Sequence, residues 1–353
     1  MINENFAQSV GVGIAGLGRA GWNLHALTLA AMPEQYHVVA VCDPQQTRLD
    51  EAQQRLGCRT YTDYAAMLAD DTVELVVVAM PSQLHATYAM EAMQAGKHVL
   101  VEKPFAVDLA STDQMISVME ATGCILTGSQ NLRYTADFLK VQEVIASGHL
   151  GRILQIRMHW HWFRRRWDWQ TLREFGGGSL NNDGSHVIDQ ALLLFGNAEP
   201  QVYCHMEATP LSFGDTEDHV KILLHAPHAP LIDIEFSNAC AYPQERWLVM
   251  GTQGTLIGGH KELRWKYIDP ELLSARQVSR DSTPDRSYNR EDLPWIEAQC
   301  TFPTETYTAS NQRLYHDLYP TLRQSAPLAV TAASIRRQLA TLEQCRRQGG
   351  FYA

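Results

Sequence analysis

The chain has few cysteines, and none of them form a Cys-x-x-Cys pair. The seven stand apart, at positions 42, 58, 124, 204, 240, 300 and 345. An odd, dispersed set excludes a disulfide framework and a cysteine-built zinc site, and it predicts reduced thiols in the cytoplasm. Positive charge is also short, with 29 Lys and Arg against 39 Asp and Glu, a formal net charge of −10. That balance argues against nucleic acid or an anionic membrane surface as the main partner. No apolar run approaches the roughly 20 residues that span a bilayer. The start, Met1–Ser9, lacks the basic patch and apolar core of a signal peptide. Internal repeats and low-complexity tracts are absent. What remains is a chain of 353 residues with 45% hydrophobic content, enough for two packed domains.

One stretch organises the rest. Val10, Val12 and Ile14 alternate with small residues, as in a short buried strand, and lead into Gly16-Leu17-Gly18-Arg19-Ala20-Gly21. The helical run Trp22–Ala31 follows. A strand that breaks into Gly-x-Gly-x-x-Gly and re-enters as a helix is the dinucleotide-binding fingerprint. The phosphates would face the free N–H groups at the helix start. A second apolar run, His37–Cys42, ends in Asp43, about 20 residues on, where a ribose-binding acid is expected. Asp43 favours NAD over NADP by repelling a 2′-phosphate, and Arg19 or Arg48 would reverse that preference by pairing with it.

Residues 10–127 continue as alternating strands and helices, the pattern of a parallel sheet covered on both faces. Predicted strands are Val10–Ala15, His37–Cys42, Leu75–Ala79, His98–Val101 and Ile125–Thr127. Predicted helices are Trp22–Ala31, Gln45–Leu56, Tyr64–Ala69, His85–Ala95 and Ser111–Thr122, with Asp63 and Asp108 as caps. Ligands bind such sheets outside the C-terminal strand ends, which selects Met80-Pro81 and Glu102-Lys103-Pro104. Lys103 reads either as a surface lysine or as an ammonium pointed into the crevice beside the cofactor. His85 is either a helix-surface histidine or part of the nicotinamide end of the cleft.

The run Gly16-x-Gly18-x-x-Gly21, Asp43, Pro81-x-x-x-His85 and Ala95-Gly96-Lys97-His98-Val99-x-x-Glu102-Lys103-Pro104 resembles the glucose–fructose oxidoreductase / inositol dehydrogenase (Gfo/Idh/MocA) family. The resemblance covers essentially the whole chain after the first ten residues and is weakest between 260 and 305. It implies a nicotinamide cofactor and a polyol, sugar or sugar-derived substrate. The cofactor set then comprises Gly16, Leu17, Gly18, Arg19, Gly21, Asp43, Arg48, Met80, Pro81, His85, Glu102, Lys103 and Asn131.

The second half predicts an α+β domain. A helix over Ala136–Ser147 precedes the alternating strand Ile153–His161. His159 and His161 share a strand face, but two ligands without a third are not a metal site, so no metal is expected. Residues 162–175 are dense in Trp and Arg. They read as a substrate-facing loop, with Arg164, Trp167 and Asp168 as contacts, or as an interdomain or inter-subunit arm. Next comes Gly176-Gly177-Gly178-Ser179-Leu180-Asn181-Asn182-Asp183-Gly184-Ser185-His186-Val187-Ile188-Asp189, a glycine run entering a helix. Asn182, His186 and Asp189 fall at i, i+4 and i+7, on one face. The pattern alone fits equally an N-cap with a solvated histidine.

The resemblance implies more here. In dehydrogenases of the family, the Glu-Lys-Pro lysine acts with an aspartate and a histidine of this segment. His186 and Asp189 match in register, and Asn182 stands in the aspartate position. Asparagine positions a hydroxyl but cannot act as a base. Proton handling then falls to His186, alone or with Lys103, while Asn182 and Asp183 orient and Asp189 joins the substrate contacts. Strands at Asp218–Leu224, Leu231–Phe236, Arg246–Met250 and Thr255–Ile257 predict a large, mostly antiparallel sheet. Helices at Ala309–Gln324 and Ala332–Gln348 end the chain, and the last resembles the family's return helix. The polar stretch Asp281–Asp292 reads as a loop.

The expected organisation is therefore a Rossmann domain over residues 1–128, a substrate and oligomerisation domain over 129–330, and a returning helix over 331–353. A homodimer or homotetramer through the Val202–Ile257 sheet is expected, because a sheet covered on one face leaves the other to be buried. Two other function classes stay open: a redox-neutral enzyme that uses NAD transiently, and a non-catalytic nucleotide-binding regulator.

Overall fold

The computed structural model describes residues 9–281, 283–304 and 307–351. The polar start, residues 1–8, and position 282 of the predicted loop lie outside them. Among the described residues the first sheet is six-stranded, in order β3-β2-β1-β4-β5-β6. Its strands are β1 Val10–Ala15, β2 Tyr36–Cys42, β3 Arg59–Tyr61, β4 Leu75–Val78, β5 His98–Val101 and β6 Leu126–Gly128, all paired in parallel. Every side of β1 and β4 is buried, as continuous apolar runs between two helix layers require. The short edge strand β3 has no alternation and escapes the sequence reading.

Helices α1 Leu27–Ala30, α2 Gln46–Leu56, α3 Tyr64–Leu68, α4 His85–Gln94 and α5 Leu109–Thr122 cover this sheet. Asp63 accepts from Ala65 N and Asp108 from Ser111 N, so both are the predicted caps. The run predicted as one helix over 22–31 differs. It opens as a wide π turn, Ala20–Ala26, and only then tightens into α1. Small residues at 20 and 21 let the backbone lie close to the sheet there.

The second sheet has eight strands, in order β14-β13-β12-β11-β7-β10-β9-β8. These are β7 Ile153–His161, β8 Gln201–Glu207, β9 His219–His225, β10 Leu231–Ser237, β11 Trp247–Gly251, β12 Gly254–Gly258, β13 Glu262–Tyr267 and β14 Ile296–Thr301. It is antiparallel except for the central β7–β10 pair, which is parallel. One face packs on α6 Ala136–Ala146, α7 Ser185–Phe195 and α9 Ala332–Gly349, with Phe138, Ile156, Met158, Ile188, Val249 and Leu339 in one core.

The opposite face is mixed. Leu223, Leu248, Met250 and Ile257 lie on it beside charged pairs. Lys221 Nζ lies 2.5 Å from Asp233 and 3.0 Å from Glu235, His161 Nε2 is 3.1 Å from Glu235, and Arg157 is 3.8 Å from Asp233. His159 and His161 stack there with ring centroids 5.0 Å apart. Among the described residues no group of three His, Cys, Asp or Glu is placed to hold a metal ion.

Helix α8, Tyr307–Gln324, falls in the expected substrate domain by sequence but packs on the first sheet. Leu314, Tyr315 and Leu318 enter the core of Val12, Ile14, Leu29 and Tyr36. Tyr36 Oη donates to the Tyr315 carbonyl at 2.7 Å, and Asn311 Nδ2 to Leu24 O at 2.7 Å. The returning helix α9 bridges the two sheets instead of joining only the first. It lies against β8 and α7 on one side and α5 and β6 on the other. No helix among the described residues is long and apolar enough to cross a membrane.

Candidate active site

The glycine loop after β1 is shaped for a close-lying diphosphate. Gly16 has φ +94°, where side chains are strained, and a Cβ on Gly21 would meet Gly16 O at 1.8 Å. A Cβ on Gly18 would meet no atom within 4 Å and would project into open space. A cavity of about 230 Å³ opens beside it, lined by Leu17, Gly18, Arg19, Trp22, Asn23, Arg48 and Glu51. The open cradle and its cationic lining fit a dinucleotide.

Asp43 is 2% exposed and already engaged. Its Oδ2 accepts from Leu17 N at 2.7 Å and its Oδ1 from Gln45 N at 2.9 Å. Arg48 Nη1 lies 3.3 Å from Oδ2. The acid therefore pins the glycine loop, and Arg48 rests between it and the cavity.

The strand ends after β4 and β5 are tied together. His85 is buried, not a surface histidine, with Nδ1 2.8 Å from Pro104 O and Nε2 2.9 Å from Met80 O. It braces the two loops from behind, with both ring nitrogens occupied, while Pro81 stays exposed. Asn131 is buried at the end of β6. Glu102 is buried too. Its Oε1 accepts from His25 Nε2 at 2.8 Å and its Oε2 from Lys103 N at 3.1 Å. The His25 bond holds the Glu102 carboxyl down at about 2 against the burial that would raise it. His25 is a residue the sequence reading missed. It sits four residues past Gly21, and nothing in its local spacing marks it as the link between the glycine loop and the lysine loop.

Lys103 reaches across to the second domain. Its Nζ lies 3.3 Å from Asn182 O and 3.4 Å from Asn182 Oδ1. The wide turn Leu180–Gly184, not a regular helix start, carries Asn182 and Asp183 into this space, and His186 follows in the first turn of α7. Burial lowers the Lys103 ammonium below its usual value, helped by Arg19 and Arg166 and opposed by Glu102 and Asp183. Burial also raises Asp183. It lowers His186 to about 3, with the Lys103 charge adding to the effect. All three shifts favour the neutral form, as a partly desolvated site dictates. His186 Nδ1 is buried with no hydrogen-bond partner among the described residues.

The loop 162–175 reaches the same space. Arg164 Nε donates to Asn238 Oδ1 at 2.7 Å, its Nη2 lies 3.9 Å from Asp183, and its guanidinium sits over the Trp162 ring at 4.3 Å. Trp167 is 77% exposed on the rim. Asp168 departs from expectation. It is held by Arg166, at 2.7 and 3.0 Å, and caps Gln170 N at 3.0 Å, so it positions the loop. Gln170 is the second missed residue: its Nε2 donates to Asn182 Oδ1 at 2.9 Å. The alternation Arg166-x-Asp168-x-Gln170 was the available signal.

Asp189 is also corrected. It is buried, and both of its carboxylate oxygens are taken by Arg133, at 2.6 and 2.5 Å. Arg133 in turn donates to Ala329 O at 2.8 Å and Ser334 Oγ at 3.0 Å. This pair fastens α7 to the start of α9 and the residues just before it.

Comparisons with known proteins agree with this geometry. Residues 10–129 match the oxidoreductase family with an NAD-binding Rossmann fold, and residues 138–257 match the C-terminal domain of the same family. An uncharacterised oxidoreductase of Schizosaccharomyces pombe is 30% identical over 69% of both chains. An NADP-dependent scyllo-inositol 2-dehydrogenase of Bacillus subtilis is 29% identical over 53% of this chain and 52% of its own. A 2,7-anhydro-N-acetylneuraminate hydratase of Mediterraneibacter gnavus is 27% identical over 70% of this chain and 67% of its own. Among solved structures, the WlbA dehydrogenase of Bordetella pertussis, in complex with NADH and UDP-GlcNAcA, superposes with a TM-score of 0.74 at 23% identity over 97% of each chain. With its glycine cradle, its Glu-Lys-Pro loop and both domains matched, the chain belongs to the Gfo/Idh/MocA family of NAD-binding oxidoreductases.

Proposed function

We propose that this protein is a nicotinamide-dependent dehydrogenase acting on a secondary alcohol of a sugar, cyclitol or sugar acid. The observation that carries the reading is the meeting of Lys103 Nζ, from the nucleotide domain, with Asn182, one turn before His186. Gly16, Gly18 and Gly21 would hold the dinucleotide, whose nicotinamide would supply the hydride acceptor or donor for interconversion of alcohol and ketone. Lys103 takes the hydroxyl proton in oxidation and gives it back in reduction, which its lowered pKa favours. His186, held in its neutral form by burial, orients the hydroxyl through its ring nitrogens. Asn182 and Asp183 orient, and the exposed Trp167 offers an apolar face to a sugar ring. The named substrates of relatives, an inositol and a sugar acid, support this class.

NAD was the expected cofactor on the strength of Asp43. The Arg48 guanidinium, 3.3 Å from that acid, offsets the repulsion it would exert on a 2′-phosphate, and Arg19 and Arg48 both line the cavity. We propose that the protein accepts both cofactors.

A second reading is favoured by Asn182 in place of the aspartate and by the hydratase among the relatives. It is a redox-neutral reaction in which the hydride returns to the substrate. One experiment separates the two. Polyols, aldoses and sugar acids are screened with NAD and NADP, and both reduced-nicotinamide absorbance and product are followed. Net reduction in step with product supports the dehydrogenase. Product without net reduction supports the redox-neutral reaction, and neither sinks both.

A further inference from the structure

A line of buried side chains runs from α8 to the lysine loop. Tyr315 Oη lies 2.7 Å from His25 Nδ1, His25 Nε2 lies 2.8 Å from Glu102 Oε1, and Glu102 Oε2 accepts from Lys103 N at 3.1 Å. The chemistry of the two ends sets the order of the protons. An ionised carboxylate only accepts, so His25 Nε2 carries the hydrogen of its bond to Glu102. Burial holds the Tyr315 hydroxyl protonated, with Tyr36 and Glu102 adding to the effect, so it donates to Nδ1 of the neutral ring. Both bonds thus point their donors toward Glu102.

Glu102 collects further donors. Besides His25 and the Lys103 N–H, the buried Ser129 hydroxyl donates to it. Burial alone would raise its carboxyl, but these bonds hold it at about 2, so it stays an anion at any pH well above that. Asp183 behaves in the opposite way. Burial pushes it toward its neutral form, against the pull of Lys103, Arg164, Arg166 and Arg246.

Lys103 sits among these groups. Burial lowers its ammonium, Arg19 from the glycine loop and Arg166 from the loop over 162–175 lower it further, and Glu102 and Asp183 oppose them. Its Nζ reaches two oxygens of Asn182, which carry no net charge, and His186 beyond leans neutral. With Asp183 leaning neutral as well, the lasting negative charge beside the lysine is that of Glu102.

We propose that Glu102 is a positioning residue for Lys103: its charge decides how readily the lysine gives up and takes back a proton, and His25, propped by Tyr315, keeps that charge in place. The proposal deepens the dehydrogenase reading and rests on Lys103 as the group that carries the proton there. Glu102 itself touches no reacting atom.

The test is competitive acetylation with acetic anhydride, followed by mass spectrometry of the peptide that holds Lys103. The lysine is half-buried, and only its free amine is acylated. In the wild type, labelling is expected to rise with pH through an ionisation below the ordinary 10.5. Glu102→Gln is nearly isosteric, keeps an acceptor for His25 and removes the charge. It should move that ionisation about 1 unit further down, the scale of losing one nearby opposite charge. Glu102→Asp restores the charge and should return the ionisation toward the wild-type value. Tyr315→Phe should lower the melting temperature and leave the ionisation in place, because the charge remains. Should Glu102→Gln fail to fold, His25→Leu with Glu102→Met removes both sides of the contact and should give the same downward shift. An ionisation that is equal in the wild type and the charge-free variants overturns the proposal, as does a Glu102→Asp variant that shifts as far as Glu102→Gln. Labelling needs no substrate, so it judges the proposal apart from turnover. The pH profile of kcat/KM should follow the same shift in Glu102→Gln. Labelling that shifts while the kinetic profile does not upholds the hold of Glu102 on Lys103 and overturns the reading of that lysine as the proton carrier.

Discussion

At the scale of single residues, the site buries its titratable groups and holds their neighbours tightly. Lys103 and His186 are kept neutral-leaning by burial and come from different domains. A positioned acid–base group is worth about 10²–10⁴-fold in rate. Lys103→Ala and His186→Ala should each lose turnover on that scale, while cofactor affinity, measured by fluorescence titration, changes little. Near-wild-type turnover in both variants would remove the catalytic assignment. Because the folded Lys103 value lies below the ordinary lysine range, alcohol oxidation should rise with pH through an ionisation below 10.5 and reach a plateau. A pH–rate profile flat across the alkaline range contradicts that. Gly18→Val should abolish the rise in melting temperature that nicotinamide cofactor gives, since its side chain enters the open cradle. The glycines and Asp43 stood out in the sequence by local spacing, while Lys103 and His186 were singled out by the resemblance, because their spacing alone fits a surface lysine and a solvated histidine as well. Gln170 and His25 were not, because their roles depend on contacts with residues 12 and 77 positions away.

At the scale of elements, the Glu-Lys-Pro loop is fixed from behind by α8 and the glycine-loop turn. His25 joins Glu102 at 2.8 Å and Tyr315 Oη at 2.7 Å, so one buried imidazole ties three segments. Removing one partner of a buried hydrogen bond leaves the other group unsatisfied, at a cost of about 1–3 kcal/mol and more where that group is charged. His25→Leu should therefore lower stability by that order in urea unfolding, and an unchanged midpoint would contradict the tie. Glu102 titrates near 2 in the folded protein against 4.5 ordinarily. A depressed acid contributes stability that is present above 4.5 and lost as pH falls toward 2. The wild type should lose stability across that window, and Glu102→Gln should flatten the loss. Strand positions were readable in the first sheet because buried parallel strands are continuous apolar runs. The docking of α8 was not, because its apolar stripe fits either sheet and only tertiary packing chooses. The two wide turns escaped notice because nothing in the 3.6-residue period distinguishes a π turn.

At the scale of the whole molecule, two sheets meet along a cleft and α9 spans both. Association through the open face of the eight-stranded sheet remains our proposal. The face carries Leu223, Leu248, Met250 and Ile257 beside ion pairs that Lys221 and Arg157 close within the chain, so a dimer or tetramer formed there would rest on burying the apolar part. Light scattering should then report an oligomer at micromolar concentration. A monomer at that concentration removes the proposal. The ion pairs were hidden from sequence reasoning because polar residues on alternate strand positions look alike whether they face water or one another. The central claim is hydride exchange between a sugar-class alcohol and nicotinamide in this cleft. It is tested most directly by offering the cofactor-loaded protein a turned-over substrate deuterated at the reacting carbon, then examining the nicotinamide by mass spectrometry. The account predicts deuterium at the nicotinamide ring in the wild type and its loss in Lys103→Ala. Turnover that leaves the nicotinamide free of deuterium would contradict it.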